Sequence, residues 1–311
     1  SDRQERRLVK LNQNLKAQTK ELDERKVALE NLSQQLAKYL PPQIHEALFA
    51  GRYNTEVRTQ RKRLTVFFSD IKDFTQTAES LQPETLTQYL NEYFSEMTRI
   101  ALSFGATIDK YIGDAQMAFW NAPLDDKDHA LHAVKTGLEM LNDLDKFNEE
   151  IAKEGIPAFG MGLGINTADV VVGNMGSSQR FDYTCLGDGV NLASRLEGQS
   201  KTYGVRIIFG ERTAKYVEDR YSVVEMDTIA VKGKTEGVKV FTVGKTIKYK
   251  HNEFLKEYDR GDWKRATQWA QELIDDPDDK VTIKDYYHKM IERMDEGLPA
   301  NWDGVYRATS K

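Results

Sequence analysis

The chain has 311 residues, of which 40% are hydrophobic and 30% charged, a balance typical of a soluble protein of about two domains. Its net charge of −5 argues against a general nucleic-acid-binding protein, which would normally be basic. The single cysteine, Cys185, excludes an intrachain disulfide, and no segment approaches the ~18 consecutive apolar residues of a membrane span.

The first 40 residues carry a heptad repeat. Leucine recurs every seven positions, at Leu8, Leu15, Leu22, Leu29 and Leu36. This spacing predicts a parallel dimeric coiled coil over residues 1–40, although a single amphipathic helix packed on its own domain would show a similar pattern. Because the chain opens on Ser within this repeat, we expect a longer native protein. Its upstream sensor could be a membrane-attached domain or a photoreceptor.

A predicted linker over residues 41–63 separates the heptad helix from the remainder of the chain. Pro41 and Pro42 end the first helix, because proline cannot continue one, and a short helix is expected over Gln43–Ala50. The polar, basic residues that follow, up to Arg63, are interpreted as a connector and not as a nucleic-acid-binding patch.

Residues 64–245 alternate strands and helices and form the predicted catalytic domain. The expected elements are a buried strand from Leu64, a helix over Pro83–Ser103, a hairpin at Gly113-Asp114, a helix near 127–153 and a strand over Ala158–Asn166. The order strand, helix, strand, strand, helix, strand predicts an α+β, ferredoxin-like βαββαβ fold. Glycines at 160, 162 and 164 leave one face of the last strand bare, so another backbone could approach it closely.

Further elements complete the chain. Strands are predicted over 169–175, 181–186, 205–209, 222–231 and 238–243, with a helix over 188–203. The C-terminal extension, residues 249–311, has the pattern of three helices, near 249–260, 262–275 and 281–296. We expect these helices to pack back on the preceding domain, because a lone helical hairpin cannot bury its own apolar face.

Two acidic residues stand at the ends of predicted strands. Asp70 follows the apolar strand from Leu64, and Asp114 lies at the tip of the hairpin. Either residue alone would more commonly be a helix cap or a turn former. Facing each other, the two carboxylates would repel in apolar surroundings, and a divalent cation, Mg²⁺ or Mn²⁺, would resolve that repulsion.

A second polar pair lies on the helix predicted over 188–203. Asn191 and Arg195 are four residues apart and therefore share one face. An amide and a guanidinium that point the same way suit a sugar oxygen and a phosphate. A solvated polar stripe is the alternative interpretation, since such faces are normal on amphipathic helices.

Four segments, in this order along the chain, resemble the class III nucleotidyl cyclase family, and the resemblance covers roughly residues 60–245. They are Phe67-Phe68-Ser69-Asp70-Ile71-Lys72-Asp73-Phe74-Thr75, Asp109-Lys110-Tyr111-Ile112-Gly113-Asp114, Gly187-Asp188-Gly189-Val190-Asn191-Leu192-Ala193-Ser194-Arg195-Leu196 and Val231-Lys232-Gly233-Lys234. The activity that this resemblance implies is conversion of ATP to 3′,5′-cyclic AMP and pyrophosphate. It also implies two divalent cations, Mg²⁺ or Mn²⁺, held by Asp70, Asp114 and the Ile71 carbonyl.

The resemblance further assigns roles to residues that would contact the substrate. Lys110 and Thr184 match the base-selecting positions and resemble adenylate cyclases, whereas guanylate cyclases carry Glu and Cys there. Asn191 matches the residue that orients the ribose, and Arg195 the one that stabilises the transition state. The remaining substrate-binding residues implied are Lys232 for the triphosphate, with Lys234 the weaker candidate, and Phe74 and Thr75 beside the metal motif.

In this family the metal residues and the Asn/Arg pair meet across a dimer interface. Because all the key residues stand in this one chain, the resemblance implies a homodimer with two equivalent sites. No nucleic-acid partner is expected, given the net charge of −5. The catalytic part is expected to be cytoplasmic, with any membrane association supplied by an upstream region. Guanylate cyclase activity and a non-catalytic, nucleotide-sensing or dimerising cyclase-like module are the alternatives. A diguanylate cyclase would need a Gly-Gly-Asp/Glu-Glu-Phe signature, where this chain has Ile112-Gly113-Asp114-Ala115-Gln116.

Overall fold

A computed structural model describes residues 2–51, 58–230 and 236–308, and the chain divides into two compact units, Ser1–Thr55 and Glu56–Lys311. The first unit contains helix α1 (Asp2–Leu36) and helix α2 (Pro42–Phe49). Helix α2 lies within one residue of the predicted helix, and α1 ends at Leu36, earlier than the predicted residue 40. None of the described residues of α1 is buried, and Leu8, Leu15, Leu22 and Leu29 are between 58% and 68% exposed.

The second unit is built on one mixed, mostly antiparallel sheet. Its described strands are β1 (Thr59–Lys72), β2 (Thr107–Ile112), β3 (Ala115–Trp120), β4 (Gly160–Gly176), β5 (Phe181–Leu186), β6 (Ile207–Gly210), β7 (Val223–Ala230), β8 (Val238–Val243) and β9 (Tyr306–Arg307). They lie in the order β2-β3-β1-β4-β6-β8-β7-β9, and β5 pairs with β4. The first four strands thus have the order of a ferredoxin-like sheet, and the predicted βαββαβ core is confirmed.

The helices of the second unit cover both faces of this sheet. They are α3 (Phe74–Ser80), α4 (Pro83–Ser103), α5 (His129–Ala152), α6 (Asp188–Gly198), α7 (Ser200–Tyr203), α8 (Glu211–Val217), α9 (Lys248–Asp259), α10 (Trp263–Ile274) and α11 (Lys284–Asp295). Buried side chains of β1 and β4, such as Phe67 and Leu163, form one core with α4 and α5. No helix among the described residues has the length and apolar character needed to span a membrane.

Two strands extend beyond their predicted bounds. Strand β1 begins at Thr59, so residues 59–63 of the predicted linker belong to the sheet. Their polar side chains hide the strand from a hydrophobicity argument, but Thr59 pairs with Gly173, and the Arg63 guanidinium contacts the Asp169 carboxylate at 3.1 Å. Strand β4 is one continuous strand of 17 residues and joins the two strands predicted over 158–166 and 169–175.

The glycines of β4 seat helix α6 directly on the sheet. A Cβ atom added at Gly164 would lie 2.2 Å from both the Ala193 carbonyl oxygen and the Glu197 backbone nitrogen. At Gly162 a Cβ would lie 2.7 Å from Glu197 Oε1. The close backbone approach predicted from these glycines is therefore present, and the approaching backbone is that of α6.

The C-terminal helices belong to the second unit and share a hydrophobic core with its sheet. This core joins Leu196 of α6 and Met226 of β7 to Phe254 of α9. A buried ion pair crosses the same junction, where Arg293 Nη1 of α11 lies 2.6 Å from Asp227 Oδ2 of β7. The extension thus packs on the back of α6, the helix that presents Asn191 and Arg195.

Candidate active site

The predicted acidic pair comes together at one edge of the sheet. Asp70 is the third-last residue of β1, and Asp114 occupies the two-residue turn between β2 and β3, where Gly113 takes a φ of 64°. The two half-buried carboxyl groups face each other closely enough to share a hydrogen bond. Burial, followed by the hydrogen bond and the charge of Asp114, holds the pKa of Asp70 well above its ordinary value.

A cavity of about 510 Å³ opens over this pair. Its lining includes the other residues predicted beside the metal motif, namely Ile71, Phe74 and Thr75. The chain turns sharply here because Asp73 adopts a left-handed conformation, with a φ of 54°, between β1 and α3. That turn brings the first residues of α3 back over the end of β1.

The acidic edge fits a hard divalent cation in charge and in donor type. Carboxylate and carbonyl oxygens are the ligands that Mg²⁺ and Mn²⁺ prefer, and a cation would relieve the repulsion that raises the pKa of Asp70. Within the described part of the chain, no cluster of three or more His, Cys, Asp or Glu side chains has the geometry of a metal site. Further coordination would therefore come from the Ile71 carbonyl, water and substrate oxygens.

Glu197 adds to the negative field of this edge and was missed by the sequence argument. It lies on α6, two residues beyond Arg195 and so on a different face of the helix. Burial, and next the charge of Asp70, raise the pKa of Glu197 to about 7, while nearby Lys72 opposes that shift. Glu197 lies near Asp70 because α6 packs directly on Gly162 and Gly164. From the sequence, these glycines predicted a strand face without side chains, but not which helix covers it.

The two predicted base-selecting residues meet at a third side chain, Asp109. The Thr184 hydroxyl of β5 donates a hydrogen bond to Asp109 Oδ2, and Lys110 Nζ lies 3.4 Å from Asp109 Oδ1. Asp109 is the extra residue of a β-bulge, since Ile108 pairs with Ala118 and Lys110 with the next residue, Met117. Such a bulge re-aims side chains, which lets neighbours on one strand serve a single site.

Asn191 and Arg195 do not line the cavity of their own chain's acidic pair. Both lie on α6, where Asn191 is exposed and Arg195 is half-buried. No side-chain hydrogen bond or ion pair of either residue occurs within residues 2–51, 58–230 and 236–308. Lys232 and Lys234, predicted to bind the triphosphate, lie outside the described residues.

Comparison with known sequences matches residues 57–246 to the adenylate and guanylate cyclase catalytic domain. Adenylate cyclase 1 of Rhizobium meliloti is 33% identical over 208 residues, which are 67% of this chain and 31% of that protein. An adenylate cyclase of Anabaena cylindrica is 37% identical over 201 residues, 62% of this chain and 39% of its own length. The chain thus spans roughly a third of the length of these relatives.

Comparison with solved structures gives the same result for the fold. The adenylyl cyclase CyaB from P. aeruginosa superposes with a TM-score of 0.56 at 39% identity, covering 60% of this chain and 95% of that one. The guanylyl cyclase Cya2 superposes with a TM-score of 0.55 at 35% identity, covering 59% of this chain and 92% of that one. Neighbours of both substrate classes therefore share this fold.

Proposed function

The chain belongs to the adenylate and guanylate cyclase family, and we propose that it converts ATP into 3′,5′-cyclic AMP and pyrophosphate at two equivalent sites of a homodimer. The ribose 3′-oxygen attacks the α-phosphorus, the bond from that phosphorus to the β-phosphate oxygen breaks, and the hydroxyl proton passes to solvent. The observation that carries the proposal is the facing pair Asp70 and Asp114 over an open cavity, within a matching catalytic domain.

The proposed preference for ATP over GTP rests on the hydrogen bonds that the base-selecting residues can make to the purine ring. The Lys110 ammonium can only donate, which suits the unprotonated ring nitrogen N1 of adenine and opposes the N1–H of guanine. The Lys110 side chain is 40% exposed, so its ammonium can reach a base while it stays beside Asp109. Two sequence relatives, at 33% and 37% identity, are named adenylate cyclases, but the guanylyl cyclase Cya2 is 35% identical, so the proposed preference for ATP rests on Lys110 and Thr184.

Asp70, Asp114 and the Ile71 carbonyl would hold two divalent cations. When bound, these cations lower the pKa of the ribose hydroxyl and neutralise charge on the triphosphate. The fold holds the Asp70 and Asp114 carboxylates face to face, one near the end of β1 and the other in the tight turn between β2 and β3. Phe74 and Thr75 line the same cavity, where they would flank the triphosphate.

Asn191 and Arg195 would complete the active site of the second copy. Both lie on α6 without a side-chain partner among the described residues, and neither lines the cavity of its own acidic pair. An amide there would orient the ribose, and the guanidinium would stabilise charge on the α-phosphoryl group. Removing one preorganised donor that stabilises developing charge typically raises the barrier by about 2.7–4 kcal/mol.

We further propose that α1 forms a parallel coiled coil between the two copies and transmits an upstream signal. Its support is the row of heptad leucines, which are exposed in the single chain. A change in helix register would then alter how the two catalytic units approach each other. Inserting one residue between Ala37 and Pro41 should change turnover sharply, and unchanged turnover would contradict this regulatory role.

The direct test is product formation by the purified chain. With ATP and Mn²⁺ we expect 3′,5′-cyclic AMP and pyrophosphate in equal amounts, and Asp70→Ala should abolish both products. Asp125→Ala serves as the matched control, because the Asp125 side chain is 90% exposed on a loop and forms an ion pair with Lys62, away from the proposed metal residues. Cyclic GMP as the main product from GTP would overturn the base assignment, and a fully active Asp70→Ala variant would overturn the metal assignment.

A further inference from the structure

Asp109 is a buried carboxylate with no role assigned to it so far. Its side chain has no exposed surface, and it touches both residues that would read the base. Oδ2 accepts the hydrogen bond from the Thr184 hydroxyl, and Oδ1 lies beside the Lys110 ammonium. Apart from that charge contact, Oδ1 has no hydrogen-bond partner among the described residues.

The hydrogen bond from Thr184 decides what its hydroxyl can offer a ligand. A hydroxyl has one proton and two lone pairs, and here the proton is committed to Asp109. The remaining lone pairs can only accept. Adenine presents an amino group at its 6-position, which donates, whereas guanine presents a carbonyl oxygen there, which also only accepts.

We propose that Asp109 is a specificity-determining residue, which fixes the Thr184 hydroxyl as an acceptor and holds the Lys110 ammonium beside it. The base would then be read by three residues acting together and not by two independent ones. This inference rests on the proposed function and names the element that sets its substrate class.

The local backbone supports this assignment. The β-bulge at Asp109 gives it and Lys110 positions from which both can turn toward β5. Burial, the largest influence, leaves the pKa of the Asp109 carboxyl above its ordinary value, and the hydrogen bond from Thr184 and the charge of Lys110 oppose that rise. The two residues that Asp109 contacts are thus the ones that favour its ionised form against the effect of burial.

The variant Asp109→Asn tests the idea because it changes one oxygen to an amino group. An amide nitrogen beside the Lys110 ammonium would place two donors together, so the amide oxygen should face Lys110 and the amide nitrogen Thr184. The Thr184 hydroxyl would then accept from the amide and donate toward the base. We expect the ratio of kcat/KM for ATP over GTP to fall about tenfold or more.

A triphosphate of purine riboside, which lacks any 6-substituent, separates the two contacts of Asp109. If Lys110 is no longer held in place by Asp109, kcat/KM should fall equally for this nucleotide and for ATP. If the Thr184 hydroxyl donates to the base instead of accepting from it, only ATP, which has the 6-amino group, should be affected. We therefore expect the ratio of kcat/KM for ATP to kcat/KM for the purine riboside nucleotide to fall in Asp109→Asn. In a Thr184→Val background the same substitution should leave that ratio unchanged.

Asp182→Asn is the matched control, since Asp182 is exposed and its charge also acts on Asp109, and its substitution removes one negative charge while the hydrogen bond between Asp109 and Thr184 stays. Because each ratio is measured on one protein sample, partial unfolding cancels. Unchanged ratios in Asp109→Asn, or an equal change in Asp182→Asn, would overturn the inference about Asp109. Neither result would contradict the proposed cyclase activity. If the wild-type chain forms no cyclic product, the proposed function fails. The ratio of calorimetric dissociation constants for ATP and GTP then decides the role of Asp109 by the same criteria.

Discussion

Replacing Gly164 by alanine should displace α6, the helix that carries Arg195, the residue proposed to stabilise the transition state. The added Cβ would lie 2.2 Å from the Ala193 carbonyl oxygen and from the Glu197 backbone nitrogen, and both contacts are to backbone. Since ordinary contacts of this kind begin near 3.4 Å, α6 must move away from β4 by about 1 Å. Arg195 stands between the two contacted residues and would move with them.

The expected consequence is a loss of turnover in a protein that remains folded. A displacement of about 1 Å in a group that must meet the reacting atoms can cost roughly a hundredfold in rate. We therefore expect kcat for ATP cyclisation to fall by about that factor in Gly164→Ala. The assay is the steady-state formation of cyclic AMP, with thermal unfolding followed on the same preparation.

Two other glycines provide matched controls. A Cβ at Gly160, on the same strand, would have the flexible Lys72 side chain as its nearest neighbour, at 3.1 Å. A Cβ at Gly198, at the end of α6, would have no described atom within 4 Å outside the backbone of its own helix. Alanine at either position should leave kcat within a few-fold of wild type. A Gly164→Ala protein with wild-type kcat and wild-type melting temperature would refute the argument that this glycine seats α6.

Three further predictions concern the cation, the C-terminal extension and pH. Saturating Mn²⁺, at about 100 times its dissociation constant, should stabilise the wild type by about 2.7 kcal/mol and Asp70→Asn much less; equal stabilisation would contradict the metal site. Arg293→Met should lower the free energy of urea unfolding by about 3–5 kcal/mol, because it strands buried Asp227, and adding Asp227→Leu should restore most of it. Burial lowers the pKa of His251, whose Nδ1 accepts a hydrogen bond from the Tyr287 hydroxyl at 2.8 Å. Below pH 6.5 the unfolded chain therefore binds a proton at this histidine that the folded chain does not. Stability should therefore fall as pH drops from 6.5 toward the folded-state pKa, and His251→Gln should flatten that slope; an unchanged slope would rule this histidine out.

The sequence was most informative where one segment decides its own structure. The helix Pro83–Ser103 and the strand Val238–Val243 have the predicted bounds, because their apolar periodicity and flanking residues are local signals. The Gly113-Asp114 turn was equally predictable, since few residues other than glycine suit its positive φ. The glycines of β4 likewise indicated a close backbone contact, although not which helix would make it.

The features that the sequence did not reveal depend on partners far away along the chain. The start of β1 at Thr59 is stabilised by pairing with Gly173, and its exposed polar side chains give no apolar pattern. Asp109 was seen as part of a motif, but its contact with Thr184 spans 75 residues and depends on a bulge that no local rule predicts. Sequence reasoning therefore left open whether the Thr184 hydroxyl donates or accepts.

Mixing two inactive variants tests most directly the claim that one copy's acidic pair works with its twin's arginine. Asp70→Asn and Arg195→Ala should each be inactive alone, since each homodimer lacks the same component in both sites. After random exchange of subunits at equal concentration, about half the dimers are mixed and each carries one intact site, so activity should return to about a quarter of wild type. Persistent inactivity of the mixture, with subunit exchange verified, or full activity of either variant alone would contradict the account.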